Sequence, residues 1–257
     1  MNTGLVLSGG GVRGVAHIGA IKALEQHGII PTHIAGTSAG AIVGALYANG
    51  NGWQEILDFF KTVQIFKIDN FARNKPGFIN TEKLYDSFKN ILIKDDFSVL
   101  KKSLHITATN ILDGSLKVFT DGELIKPILA SAAFPGVFTP IQIGEEYFVD
   151  GGTLNNFPVD LIVPQCEKII GVYVNPFEKL NINDLKHSYH VLERAFRIKT
   201  AHDSIAKFKD CDIVICPKEL KEVGTFSMKD IDAAFELGYE AAMAELSKIN
   251  VSELLEG

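Results

Sequence analysis

Cysteine is scarce in this chain: three in 257 residues, an odd number with no Cys-x-x-Cys pair. A disulfide framework and a thiolate zinc site are therefore not expected, and Cys166, Cys211 and Cys216, each in or beside an apolar segment, read as reduced core thiols. A cationic surplus is missing too. Lys and Arg number 25 against 31 Asp and Glu, a net charge of −6, which argues against a general nucleic-acid binder. No apolar run is long enough to span a bilayer. The N-terminus, MNTGLVLSGGGVRG, lacks a basic n-region and its apolar run is broken by glycines, so no secretory signal is expected. Nor is there an internal repeat, a low-complexity tract or a Pro-rich, Ser-rich or highly charged linker. These absences point to one soluble, cytoplasmic domain over residues 1–257.

What the chain has is apolar material, 46% of its residues, and 23 glycines. Residues 3–9 read as a short buried strand leading into a Gly-rich turn, then a helix over 15–27 ended by Gly28. A strand at 33–35, a turn at 36–38 and a helix over 39–47 follow. Strand-helix-strand-helix is the usual opening of a parallel sheet covered by helices. Helices are predicted over 53–63, 81–91 and within 184–207, and strands at 104–109, 116–120, 141–143, 147–149, 169–174 and 212–216. A last helix to about residue 246 opens with Ser227 and Asp230 at capping-box spacing. The fold class is α/β, a three-layer α/β/α sandwich around a mostly parallel sheet.

Three glycine-rich motifs sit at strand ends. Residues 36–40, GTSAG, match Gly-x-Ser-x-Gly between a strand and a helix, the nucleophile-elbow pattern, in which the glycines permit a cramped turn that lifts Ser38 clear. The dull alternative is a tight turn built of small residues. Residues 8–14, SGGGVRG, place successive N–H groups at a helix start, a nest for negative charge, either a phosphate or a transient oxyanion. Gly9, Gly11 and Gly14 also satisfy Gly-x-Gly-x-x-Gly. A dinucleotide fold, however, needs an acid about 20 residues on, where Ala35, Gly36 and Thr37 stand. A P-loop fails because Arg13-Gly14 occupies the place of Gly-Lys-Ser/Thr.

The third motif is Asp150-Gly151-Gly152, after a strand. A serine nucleophile needs a base, commonly a histidine. Downstream of Ser38, His105 lies inside an apolar strand, and His187, His190 and His202 lie in a helical region. None follows a strand, so each reads as a surface or packed histidine. Asp150, at a strand end and followed by glycines that let another backbone come close, is the better candidate.

With these motifs in this order, and with residues 131–140, SAAFPGVFTP, preceding the Asp motif, residues 3–176 resemble a patatin-like phospholipase. The resemblance implies a lipid acyl hydrolase with a Ser-Asp dyad, an acyl-serine intermediate and neither metal nor organic cofactor. Carried over, Ser38 is the nucleophile and Asp150 the base. The loop Gly9, Gly10, Gly11, Val12, Arg13, Gly14 forms the oxyanion hole with Arg13 fixing it, and Gly36, Gly40, Gly151 and Gly152 support the motifs. The implied partner is a phospholipid or other acyl-ester lipid, with peripheral contact at a membrane surface; oligomeric state is not legible. Acyl transfer from the same acyl-serine, or lipid binding without catalysis, are the alternatives. The aperiodic stretch 64–80 carries Phe66, Phe71 and Phe78 among Lys67, Arg73 and Lys75. It reads either as a lid that docks on anionic headgroups or as a loop packed on the body.

Overall fold

The computed structural model describes residues 1–63, 81–177, 179–185 and 187–250. The lid or loop reading of 64–80 lies outside the described residues.

Strand β1 (Thr3–Leu7) is buried along its whole length between β2 (His33–Gly36) and β7 (Lys168–Val172), both parallel to it. A strand covered on both faces needs no polar alternation, which is why TGLVL reads as an apolar run. β3 (Ser103–Asn110) extends the parallel core beyond β2, and β8 (Ile213–Ile215) extends it beyond β7. Three pairings are antiparallel: β4 (Leu116–Phe119) on β3, β6 (Glu146–Asp150) on β3, and β5 (Ile141–Ile143) on β6. The sheet order is β5-β6-β3-β2-β1-β7-β8, with β4 also on β3.

The register of β3 positions the site. Ala108 and Thr109 pair with both β4 and β6, while Ile106 pairs with both β4 and β2. A strand has two edges, so β4 holds one and β2 and β6 share the other. β2 ends at Gly36 opposite Ile106, and β6, running the opposite way, ends at Asp150 opposite Ala108. The two strand ends thus meet head-on, one residue of β3 apart.

Alternation sends Leu5, Leu7, Ile34, Ile106, Ile170 and Val172 to one face, against α1 (Val15–Gln26), α2 (Ala39–Asn49), α3 (Trp53–Val63), α4 (Thr81–Ile91), α5 (Ile125–Ser131) and α7 (Ile231–Leu246). Val6, Ala35, Ile169 and Tyr173 face the other way, against Phe157, Val159 and Ile162. That second layer is thinner than the first. It consists of 3-10 turns at Val159–Leu161 and Val163–Gln165, with Phe208 beyond α6 (Ser188–Ile205) closing an aromatic trio with Phe157 and Tyr173 at centroid spacings of 5.2–6.0 Å. Cys166, Cys211 and Cys216 pack there as free thiols.

α1 stops where Gly28 takes φ +73, with the Gly28 and Ile29 N–H groups donating to the Glu25 and Leu24 carbonyls, a Schellman closure. α1 and α7 touch backbone to backbone. A Cβ on Gly238 would lie 2.0 Å from the Ala16 carbonyl oxygen, and one on Gly19 2.1 Å from that of Phe235. α7 corrects one expectation: Ser227 heads a 3-10 turn, Met228–Asp230, with no side-chain cap, and the helix proper starts at Ile231. The preceding chain is engaged elsewhere, as the site shows. Among the described residues no helix is long and apolar enough to cross a membrane.

Candidate active site

Ser38 links β2 to α2 with φ 54 and ψ −121, the one non-glycine residue of positive φ among those described. Such a backbone costs about 1–3 kcal/mol and persists only when its surroundings over-determine it. Here they do. The Thr37 N–H donates to the Leu7 carbonyl at 3.1 Å, the Ser38 N–H to Ser131 Oγ at 2.8 Å, and the Ser38 carbonyl accepts from Ala41 and Ile42 N–H at 2.9 and 3.1 Å. The flanking glycines are needed for close approach: a Cβ on Gly40 would lie 2.2 Å from the Leu7 carbonyl oxygen, and one on Gly36 2.5 Å from that of Gly40.

Asp150 caps the facing strand. Its N–H donates to the Ala133 carbonyl at 3.0 Å, its carbonyl accepts from Thr109 Oγ1 at 3.1 Å, and Oδ1 accepts the Gly152 N–H at 2.7 Å. Behind the two strand ends, Thr107 donates its hydroxyl to Thr37 Oγ1 at 2.6 Å and Thr37 donates on to the Asn155 carbonyl at 2.8 Å. A Cβ on Gly151 would strike Thr107 Oγ1 at 2.3 Å, so that position too requires glycine. Burial pushes the Asp150 carboxyl up to about 6, against the opposing pull of hydrogen bonds from the Ser38 hydroxyl and the Gly152 N–H. A carboxylate held dry beside a serine is a stronger base than one in water.

The glycine loop follows β1 and turns as a 3-10 helix over Gly11–Gly14. Accounting for its N–H groups narrows the donor set. Gly9 donates to the Asn156 carbonyl at 3.2 Å and Val12 to the Thr225 carbonyl at 2.8 Å, so both amides are already engaged. Val12 therefore departs from its expected donor role and ties the loop to the chain ahead of α7. Gly10 and Gly11 remain, their N–H groups without a protein acceptor among the described residues, and both line the cleft that Ser38 and Asp150 share. Side chains are excluded there. A Cβ on Gly10 would meet Val174 Cγ2 at 2.5 Å, and Gly11, at φ +61, has the Thr225 carbonyl 2.2 Å from where a Cβ would stand. Gly14 packs on Ala39 at the start of α2, and buried Arg13 donates from Nε to the Val223 carbonyl at 2.7 Å.

Several residues at the site escaped sequence reasoning. Asn175, just past β7, donates from Nδ2 to the Gly9 carbonyl. Asn156 brings Oδ1 close to Gly9 and Gly152. Fully buried His17 on α1 donates from Nε2 to the Ser8 carbonyl at 2.8 Å, and burial pushes its pKa down to about 4, so it stays neutral at the foot of the loop.

The cleft is narrow, with about 40 Å³ open to the centre of a water-sized sphere. Phe134 carries its aromatic wall, with Phe196 at 5.1 Å and Phe226 at 5.8 Å between ring centroids. Among the described residues no histidine lines it. His105 lies on β3 beside Gln165 across the sheet's second face, His202 is exposed on α6, and the His187 and His190 rings stand 5.3 Å apart near its start. An alcohol, a buried carboxyl and two amide donors that line one cleft with an aromatic wall suit acyl transfer.

Comparison with known proteins agrees with that chemistry. The model of the patatin-like phospholipases matches residues 5–163. An uncharacterized NTE family protein of Mycobacterium tuberculosis is 26% identical over 95% of this chain and 46% of its own length. Lysophospholipase NTE1 of Eremothecium gossypii is 30% identical over 66% of this chain and 12% of its own. The chain thus spans less than half the length of these curated relatives. Among solved structures, VipD from Legionella pneumophila superposes with a TM-score of 0.56 at 17% identity, covering 96% of this chain and 67% of that one, a likeness of fold.

Proposed function

Because this chain belongs to the patatin-like phospholipase family, we propose that it hydrolyses fatty-acyl ester bonds of lipids, phospholipids among them, through a Ser38–Asp150 dyad. The observation that carries the reading is the meeting of β2 and β6: a strained serine and a buried, hydrogen-bonded carboxyl at two strand ends, with no imidazole among the described residues of the cleft.

Asp150 accepts the Ser38 proton as Oγ attacks the ester carbonyl. The resulting oxyanion takes hydrogen bonds from the Gly10 and Gly11 N–H groups, each such donor worth about 3–4 kcal/mol in comparable sites. Collapse of the tetrahedral intermediate breaks the ester C–O bond, the leaving alcohol takes the proton back from Asp150, and Ser38 is left acylated. Water, deprotonated by Asp150, attacks the acyl-serine and returns fatty acid and free Ser38. The Phe134, Phe196 and Phe226 wall receives the acyl chain. Such a substrate is met at a lipid surface, so peripheral membrane contact in the cytoplasm belongs to the proposal.

A panel of phospholipids, lysophospholipids and neutral acylglycerols, assayed with wild type and Ser38→Ala side by side, tests this. Fatty acid release by the wild type alone is expected; equal release by Ser38→Ala, or none by either, overturns it.

A further inference from the structure

α6 presents apolar side chains to solvent as well as to the cleft. Its inner side lines the cleft through Phe196, Arg197 and Thr200. That side is engaged: Phe196 packs on Phe134, Arg197 donates from Nη2 to the Pro176 carbonyl at 3.1 Å, and Thr200, Ala201 and Ser204 are buried. The outer side is where a surface helix ordinarily carries charge. Here residues 191, 195, 198, 202 and 205, which form one narrow stripe at i, i+4, i+7, i+11 and i+14, read Val, Ala, Ile, His, Ile, and all five are exposed. Exposed Leu192 flanks the stripe. The chain leading to the helix adds Phe177, over whose ring the Arg194 guanidinium lies at 4.2 Å, and Ile182, which is 79% exposed. Six of the sixteen exposed large apolar side chains among the described residues thus fall within 177–205, a concentration beyond the single scattered residues of an ordinary surface.

Size and place point to the occupant. From Val191 to Ile205 the helix rises only about 21 Å, and the patch offers six large apolar side chains, where a stable protein–protein interface takes about 20–30 residues a side. The stripe also sits over the cleft, because the helix that carries it outside lines the cleft inside. A helix with its side chains is about 10 Å across, and an amphipathic helix on a bilayer sinks its apolar side about 5–10 Å into the headgroup boundary. Docked in that way, α6 holds the cleft at the level from which a lipid leaves the bilayer. We propose that the outer side of α6, with Phe177 and Ile182 beside it, is the surface by which this chain lies on a lipid bilayer. The proposal rests on the lipid hydrolase reading for the choice of lipid as partner, whereas docking itself requires no catalysis.

The test uses the full chain carrying Ser38→Ala, so that the bilayer is not consumed, sedimented with sucrose-loaded phosphatidylcholine vesicles. The chain is expected to partition onto them, and added salt should not weaken a contact that is apolar. Val191→Gln, Leu192→Gln and Ile198→Gln together should lower the partition coefficient by about tenfold or more. Circular dichroism and the thermal midpoint should hold, because glutamine is a good helix former; Ile198→Gln alone, expected to act in the same direction, serves if the triple variant melts early. Ile30→Gln is the control. Ile30, ahead of the amino end of β2, is as exposed as Val191 and Ile198, at 51%, and its substitution should leave partition unchanged. No partition by the Ser38→Ala chain, or folded variants of α6 that partition as well as their parent, overturns the proposal and leaves the face to a protein. Sedimentation equilibrium without vesicles tests for a second copy: a monomer is expected, and a dimer that the α6 substitutions dissociate overturns the proposal. Turnover of dihexanoylphosphatidylcholine below its micelle threshold, by the chain with native Ser38, separates this failure from that of the hydrolase reading. Hydrolysis without vesicle binding removes the docking surface and keeps the hydrolase, whereas binding through α6 with no hydrolysis of this or any bilayer lipid does the reverse.

Discussion

Asp150→Asn is expected to lower turnover by at least about 10³-fold while making the protein more stable above pH 6. The first effect follows from chemistry: an amide cannot take the Ser38 proton, and among the described residues no other carboxylate and no imidazole lines the cleft. Ser38→Ala is expected to lose as much, and the double variant little more, because the two groups act as a unit. The second effect follows from burial. The carboxyl rises from its ordinary 3.8 to about 6 in the folded chain, desolvation being the leading cause. A carboxyl raised in this way favours the folded state fully below the unfolded value, and that contribution is lost as pH climbs through about 6. The difference of about 2 pKa units corresponds to roughly 3 kcal/mol. Asparagine keeps an acceptor for the Gly152 N–H and never ionises. The Tm of Asp150→Asn relative to wild type should therefore grow between pH 4 and pH 8, by about 6–12 °C for a chain of this size. A variant that retains near-normal turnover, or loses stability at pH 8, contradicts the role given to Asp150.

Gly40→Ala is expected to be the most damaging single methyl group at the site. The new Cβ would stand 2.2 Å from the Leu7 carbonyl oxygen, 2.6 Å from its carbon and 2.7 Å from the Ser8 carbonyl oxygen, all backbone atoms. No side chain can swing aside. Either α2 lifts from β1, or the end of β1 and the loop bearing Gly10 and Gly11 shift away from Ser38. A forced fit of this kind costs about 3 kcal/mol or more, a fall in Tm of about 6–12 °C, and activity should be lost even below the new midpoint. Gly122→Ala is the comparison. Gly122, unlike Gly40, has positive φ, 76, yet nothing lies within 4 Å of its Cβ position, so the cost is about 1 kcal/mol and activity should survive. Thermal melts and esterase assays on both variants check the pair; full activity in Gly40→Ala would show that the elbow does not depend on its contact with β1.

How much of this was legible in the sequence depended on how local each signal is. The elbow, the glycine loop and the Asp-Gly-Gly turn are each written within a few consecutive residues, because close approach excludes a Cβ and only glycine satisfies that. The parallel core was legible too, since strands buried on both faces carry unbroken apolar runs. The meeting of β2 and β6 on one edge of β3 was not, being a matter of register between segments more than a hundred residues apart. The same holds for Phe196 and Phe226, which reach Phe134 from α6 and from the turn before α7. Asn175 had a usable signal: it stands just past the carboxyl end of β7, where ligands of α/β sheets gather. Ser227 and Asp230 misled for a physical reason. Thr225 and Val223 just upstream give their carbonyls to Val12 and Arg13, and that engagement, together with the 3-10 turn that follows, sets where α7 begins.

The claim on which all this depends is that a carboxylate takes the proton of Ser38 without an imidazole between them. The most direct measurement is the pH dependence of covalent labelling of Ser38 by a neutral fluorophosphonate, followed by mass spectrometry of the Ser38 peptide in wild type and Asp150→Asn. The labelling rate should rise about tenfold per pH unit below a single midpoint near 6 and then level off, and in Asp150→Asn it should be slow, with that midpoint gone. A titration that persists unchanged in Asp150→Asn, or labelling at a residue other than Ser38, would contradict the account.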